Sequence, residues 1–155
     1  MGLIESIKKQ GQKQPKRIVF PESEDERILK AIEVLQKEKI AQPIIIGNEE
    51  EVRKSASEVH CELDDTEFVE QSNYPKLDEY IADYCKSREV EERIARRLMS
   101  RPLYFGAAML KNGDCDGMVG GVASLTATVV KAAHLVVGLA DGFSAPSSCF
   151  IMSVS

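Results

Sequence analysis

The amino-acid sequence predicts a three-layer α/β domain built on a mostly parallel sheet. Short apolar segments that suit buried strands alternate with amphipathic segments that suit helices, an order typical of parallel crossovers. With 155 residues, 43% hydrophobic and 29% charged, the chain has the size and composition of one globular domain. We therefore expect a single domain over residues 1–155, with right-handed crossovers between its strands.

The first half of the chain supplies a strand–helix–strand unit and a further helix. Residues 17–20 form an apolar strand that ends at Pro21, and residues 23–26 match a capping box that starts the next helix. Residues 43–46 are the second strand, and residues 49–56 suit a short charged helix. This spacing predicts parallel pairing of the two strands.

The second half is mainly helical between its strands. Its apolar periodicity predicts a short strand at residues 68–69, helices over 75–84, 89–99 and 102–113, and strands at 116–120 and 147–154. Pro102 suits the first turn of a helix, which supports the start of the third of these helices.

A glycine-rich turn joins the strand at 116–120 to a further helix. Gly120 and Gly121 allow a tight turn, and Ser124 is a good N-cap for the helix behind it. At about 100° per residue, Ser124, Thr128 and Lys131 share one polar stripe. The other faces carry Leu125, Val129, Ala132, Ala133, Val136 and Val137. We expect this helix to be buried, with its polar stripe facing something polar.

The same turn has the properties of an anion site. Glycines let a ligand approach the backbone, unpaired N–H groups attract negative charge, and Lys131 adds a cation. Arg27 places a second cation in the first turn of an earlier helix, where the dipole favours anions. Two plainer interpretations stay open: the glycines serve only the turn, and Arg27 is exposed and offset by nearby acidic residues. Those acidic residues are Glu22, Glu24 and Asp25.

Net charge and cysteine spacing exclude several classes of function. A formal charge of −5 argues against nucleic-acid and anionic-membrane partners. No apolar run suits a membrane span or a secretory signal, so we expect a cytoplasmic protein. The four cysteines lack a zinc spacing and are expected to be free thiols, and the acidic run at 62–67 lacks the order of a calcium loop. No metal site is predicted.

Five pieces of sequence together carry a family resemblance. They are IVFPESEDER at 18–27, PIIIGN at 43–48, YFGAAM at 104–109, DGMVGG at 116–121 and SSCFIM at 147–152. In this order they resemble the N-terminal half of the phosphate acetyltransferase and phosphate butyryltransferase family. The acetyl branch matches better than the butyryl branch.

The resemblance implies an enzyme that reversibly moves an acetyl group between coenzyme A and inorganic phosphate by thiolate attack on acetyl phosphate. Such enzymes have two α/β domains, similar to isocitrate and isopropylmalate dehydrogenases, with the substrates in the cleft between them. Residues 144–155 would then begin the second domain. Coenzyme A is a substrate, no cofactor is permanently bound, and a homodimer is compatible with the family. The expected substrate and phosphate-binding residues are Arg27, Gly120, Gly121, Ser124, Thr126, Thr128 and Lys131.

The chain also departs from the family pattern. Lys131 stands where the family has an arginine, and lysine lacks the planar fork that matches phosphate oxygens. Lys86 and Arg88 are imperfect substitutes for a second family arginine. The serine and aspartate credited with positioning and deprotonating the thiol lie in a C-terminal part that this chain lacks, so no catalytic residue is assigned. The alternatives are therefore a fragment inactive alone, a non-catalytic module that binds a phosphate-bearing ligand or a partner, or a phosphate butyryltransferase.

Overall fold

The computed structural model describes residues 2–152, which form seven α-helices and four strands. The helices are α1 (Leu3–Lys13), α2 (Glu26–Lys37), α3 (Glu49–Glu58), α4 (Leu77–Arg88), α5 (Glu92–Met99), α6 (Pro102–Lys111) and α7 (Thr126–Ala132). The strands are β1 (Lys16–Phe20), β2 (Ala41–Ile46), β3 (Glu67–Val69) and β4 (Gly117–Met118). A 3₁₀ turn covers Gln71–Asn73, and α7 continues as a π-helix over Ala133–Val137.

The four strands form one parallel sheet in the order β3-β2-β1-β4. Val19 in β1 lies between Ile44 of β2 and Met118 of β4. This arrangement confirms the predicted three-layer α/β fold with a parallel sheet. The more specific likeness to isocitrate and isopropylmalate dehydrogenases stays a prediction.

Side chains alternate between two cores on opposite faces of the sheet. Val19 and Ile44 face a core built with α4, α5 and α6, where Tyr80, Met99 and Phe105 are buried. The neighbouring positions in the same strands face the opposite core, which contains α2 and α3. Both faces of the sheet are therefore covered by helices, as a parallel sheet requires.

Two predicted N-caps were wrong, and two further helices begin later than predicted: α4 at residue 77 rather than 75, and α5 at residue 92 rather than 89. The N-cap of α2 is Asp25, whose carboxylate accepts a hydrogen bond from the Arg27 N–H, so the capping box beginning at Ser23 does not form. Likewise, the N-cap of α7 is Leu125 and Ser124 lies in the turn before the helix. The backbone N–H of Ser124 is held by Glu22, which keeps the residue in that turn. The predicted polar stripe therefore retains only Thr128 and Lys131.

The expected burial of α7 was also only partly correct. Ala132 and Val136 are fully buried, but Leu125 is 79% exposed, and Val130 and Val137 are exposed as well. One side of α7 and its π-helical extension packs against α6, and the apolar residues on the other side face solvent. Apolar periodicity alone does not show how many sides of a helix pack against other elements.

The predicted strand at 147–154 is absent over residues 147–152, while residues 153 and 154 lie outside the described part of the chain. Phe150 is 92% exposed, and Ile151 and Met152 are exposed too. A strand needs a neighbouring strand to pair its N–H and C=O groups. The sheet seen in residues 2–152 ends at β3 and β4, and neither pairs with this segment.

Candidate functional site

The candidate site lies at the carboxyl ends of β1 and β4. The chain leaves β1 to form β2 on one side of it and returns as β4 on the other side. In open α/β sheets, ligands bind outside the carboxyl ends of the strands at such a change of direction. Glu22 follows β1, and the glycine loop (residues 120–124) follows β4, so both lie at this position.

The glycine loop encloses the carboxylate of Glu22. Glu22 Oε2 accepts hydrogen bonds from the N–H groups of Gly121 and Val122, both at 2.8 Å. Its Oε1 accepts from the N–H groups of Ala123 at 3.2 Å and Ser124 at 2.7 Å. The loop is thus an anion-binding backbone segment, as its sequence indicates, and the anion it holds is a side chain of the same domain.

These hydrogen bonds stabilise the charged form of Glu22. Partial burial raises the pKa of its carboxyl, but the Ser124 side chain and the loop N–H groups outweigh that effect and leave the pKa below its ordinary value. A carboxylate that accepts several N–H bonds favours ionisation. Glu22 is therefore ionised at neutral pH.

Arg27 contacts the same loop from α2. Its guanidinium donates to both oxygens of Asp25, at 2.9 and 2.8 Å, and to the backbone carbonyl of Val122 at 3.0 Å. The hydrogen bond to Asp25 and its charge raise the pKa of Arg27, and the charge of Glu22 acts in the same direction. The structure thus places Arg27 beside the glycine turn. Its side chain is still 70% exposed to solvent.

The two glycines have different roles in the turn. Gly121 has a φ of +107°, a conformation that other residues rarely adopt. Gly120 packs closely, since a Cβ there would lie 3.1 Å from Leu103 Cδ2. The backbone conformation at residue 121 therefore requires glycine, whereas a side chain at residue 120 would require Leu103 to shift by a few tenths of an ångström.

The other predicted site residues lie in the glycine loop, at Ser124, and along α7. Thr126 begins the helix and is exposed, whereas Ser124 and Thr128 are half-buried. Lys131 is exposed in the last turn, and within residues 2–152 it makes no ion pair. The structure therefore brings Arg27 to the glycine loop and leaves Lys131 without a contact that links it to that loop.

Sequence patterns did not identify Glu22 as part of this site, because it lies about 100 residues away along the chain. One signal was present: Glu22 immediately follows the first predicted strand and must emerge at the same sheet edge as the glycine turn.

Comparison with known proteins identifies the family. The family model described as phosphate acetyl/butaryl transferase matches residues 2–155. The chain belongs to this family. That match confirms the resemblance drawn from the five sequence motifs.

Several members of the phosphate acetyl/butaryl transferase family align with nearly the whole chain. The phosphate acetyltransferase of Acetivibrio thermocellus is 34% identical, over 99% of this chain and 47% of its own length. That of Bacillus subtilis is 33% identical, over 88% of this chain and 43% of its own length. The chain thus spans about half the length of these curated relatives.

Solved structures of phosphotransacetylases have the same fold. The EutD phosphotransacetylase from Staphylococcus aureus superposes with a TM-score of 0.83 and 28% identity, over 92% of this chain and 44% of that one. A phosphotransacetylase from Streptococcus pyogenes gives a TM-score of 0.86 at 28% identity, with the same coverage.

Arg88, which the resemblance suggested as an imperfect substitute for a family arginine, makes contacts within the domain. Its Nε donates to the carbonyl of Leu135 at 2.8 Å and its Nη2 to the carbonyl of His134 at 2.7 Å. Both acceptors belong to the π-helix after α7. Arg88 therefore ties the end of α4 to the extension of the helix that follows the glycine loop, whereas Lys86 is simply exposed.

The remaining side-chain chemistry of this family member is unremarkable in the described residues. The four cysteines are free, as predicted, and burial raises the pKa of Cys115 to about 11. Within residues 2–152 no three His, Cys, Asp or Glu side chains are grouped as metal ligands would be. None of the helices found there has the length and apolar character needed to cross a membrane.

Proposed function

We propose that this chain supplies the N-terminal half of an acyltransferase that reversibly transfers an acetyl group between coenzyme A and inorganic phosphate. The observation that carries the proposal is the family match over residues 2–155, together with phosphate acetyltransferases as aligned relatives. The cytoplasm is the proposed location. The proposed substrates are acetyl-CoA, phosphate and acetyl phosphate, with no nucleic-acid or membrane partner, and the proposed assembly is a homodimer.

The proposed substrate site lies beside the glycine loop. Its exposed cations, Arg27 and Lys131, would attract the phosphoryl group, and the hydroxyls of Thr126 and Thr128 would donate hydrogen bonds. Ser124 would line the site with its side chain bonded to Glu22. Gly120 and Gly121 would set the shape of the site. In the reaction, the coenzyme A thiolate attacks the acetyl carbonyl and phosphate departs with the bonding electrons. Positioned cations stabilise the charge that develops on the departing oxygen.

Residues 144–155 are proposed to begin the second domain of the complete enzyme. The exposure of Phe150, Ile151 and Met152 supports this assignment, because three large apolar side chains in sequence are rarely left in water. The serine and aspartate that resemblance credits with thiol activation would belong to that domain.

Binding of acetyl phosphate to the chain tests the proposed site. Replacing Lys131 with Met removes the cation and keeps most of the length of the side chain. If Lys131 binds the phosphoryl group, the loss of a charged hydrogen bond weakens binding by roughly 1.5 to 3 kcal/mol, measured by calorimetric titration. Lys131→Arg should tighten it, since a guanidinium matches phosphate oxygens better.

Lys54→Met is the matched control, because Lys54 is likewise an exposed lysine in a helix but lies on α3 rather than on the helix that follows the glycine loop. It should bind acetyl phosphate as the wild type does. Equal affinities for wild type and Lys131→Met would remove Lys131 from the site. A non-catalytic module remains the second candidate, favoured by the occupation of the loop N–H groups by Glu22.

A further inference from the structure

Glu22 and Arg27 hold the glycine loop from two sides. Glu22 accepts from four consecutive N–H groups, and Arg27 donates to the carbonyl of Val122 within that same run. Val122 is thus bound through its N–H by an anion and through its C=O by a cation. Together these two side chains fix the loop's backbone polar groups against the ends of β1 and α2.

This arrangement removes the loop N–H groups from substrate binding. Four N–H donors converge on one carboxylate at 2.7 to 3.2 Å, which are ordinary hydrogen-bond lengths. A free phosphate could use these donors only by displacing Glu22. The displaced carboxylate of Glu22 and the bound phosphate would then lie side by side, and the repulsion between their negative charges disfavours this arrangement.

We propose that Glu22 is a positioning residue, a built-in anion that fixes the glycine loop so that the substrate phosphoryl group is bound by side chains next to the loop rather than by its backbone N–H groups. The statement about the substrate rests on the proposed function. The statement about the loop does not, because it concerns contacts within this chain. Glu22 touches no substrate in this proposal and acts through the shape it imposes on residues 120–124.

An acid titration followed by amide NMR tests the contact in the wild-type chain. The amide protons of Gly121, Val122, Ala123 and Ser124 should shift together, with one midpoint below the ordinary glutamate pKa of about 4.3. The charged groups facing Glu22 are Arg27, which stays charged, and its partner Asp25, whose own titration would be followed at its side chain. The common shift should vanish in Glu22→Gln and persist in the control Glu24→Gln, since Glu24 is exposed.

Two variants measure how much the Glu22 carboxylate stabilises the glycine loop. Glu22→Gln keeps the side-chain shape and loses the charge, and Glu22→Ala leaves the four N–H groups without this acceptor. At pH 7 each should melt about 2–8 °C below the wild type, as expected when charged hydrogen bonds are lost in a chain of this size. Formate added to Glu22→Ala should restore part of that loss and return the four amide shifts toward their wild-type positions, whereas chloride at equal ionic strength should not.

A phosphate titration at pH 7 distinguishes this proposal from a displaceable Glu22. In the wild type, phosphate bound by the neighbouring side chains should shift the four amides only slightly, because Glu22 stays hydrogen-bonded to them, whereas in Glu22→Ala phosphate should shift all four strongly. Wild-type amides that respond to phosphate as strongly as those of Glu22→Ala would overturn the proposal, as would four amides that show no common acid titration. If phosphate moves neither these amides nor the signals of Arg27 and Lys131, the proposed substrate site fails, while the acid titration still decides whether Glu22 holds the loop.

Discussion

Gly121 illustrates how one residue's backbone conformation shapes the site. Its φ of +107° lies where an L side chain is strained. We expect Gly121→Ala to lower the free energy of unfolding by about 1–3 kcal/mol, measured by urea denaturation. The N–H donated to Glu22 is retained in the variant, so the loss would reflect backbone strain.

Gly2→Ala provides the control for this substitution. Gly2 has a φ of −70°, and a Cβ there would meet no atom within 4 Å. It should unfold as the wild type does. A Gly121→Ala variant as stable as this control would show that the loop adopts another conformation without cost.

The sequence predicted some residues around the glycine loop and missed another, for a physical reason. Gly120, Gly121 and Arg27 were found because a glycine pair after a strand and a cation at a helix start are local signals. Glu22 was not, because its hydrogen-bond donors lie 99 to 102 positions away. Ser23 was predicted as the N-cap because Glu26 follows it at the spacing of a capping box. Asp25, the N-cap in the structure, belongs to a residue type with the same preference for that position.

At the scale of elements, Arg88 links α4 to the π-helix. Its guanidinium binds two carbonyls in the last turn of that helix, where C=O groups have no partner within the helix. We expect Arg88→Met to lower the free energy of unfolding by about 1 kcal/mol, a modest loss because the side chain is exposed. Amide hydrogen exchange should quicken locally, at residues 136–138, where Gly138 N–H is bonded to Ala133.

Lys86→Met is the matched control, since Lys86 is an exposed cation two residues earlier in the same helix. It should change neither stability nor exchange at residues 136–138. If the amides of residues 136–138 exchange as slowly in Arg88→Met as in the wild type, packing against α6, rather than these two hydrogen bonds, holds the π-helix.

Elements with internal periodicity and neighbouring partners were predicted well. Helix α6 begins at Pro102 as expected, and β1, β2 and β3 fall within a residue or two of their predicted positions. The failures have one cause in common. The strand at 147–154 and the burial of α7 depend on a neighbour packed against them, and sequence periodicity reports an apolar face without saying what covers it.

For the whole molecule, two cores on the faces of a four-stranded sheet give a domain with its own interior. The proposed site lies at one edge of that sheet, on the surface, where the polar groups of Arg27 and Lys131 are open to solvent. An acyl transfer also needs groups that bind and deprotonate the thiol. The residues near the glycine loop supply cations and hydroxyls, and the one carboxylate held within the loop, Glu22, is engaged by the four N–H groups of residues 121–124.

The chain by itself should therefore show negligible acetyl-CoA:phosphate acetyltransferase turnover. It spans about 47% of the phosphate acetyltransferase of Acetivibrio thermocellus, and general-base assistance alone contributes about 10² to 10⁴-fold in rate. Thiol release from acetyl-CoA in the presence of phosphate is the measurement, with that full-length relative assayed alongside as the control. Turnover near that of the relative would show that residues 1–155 contain the thiol-activating groups, and Glu22 would then be the first carboxylate to reassign. Turnover at least a hundredfold lower would agree with a domain that supplies the cations and the loop of the phosphate site but not the groups that activate the thiol.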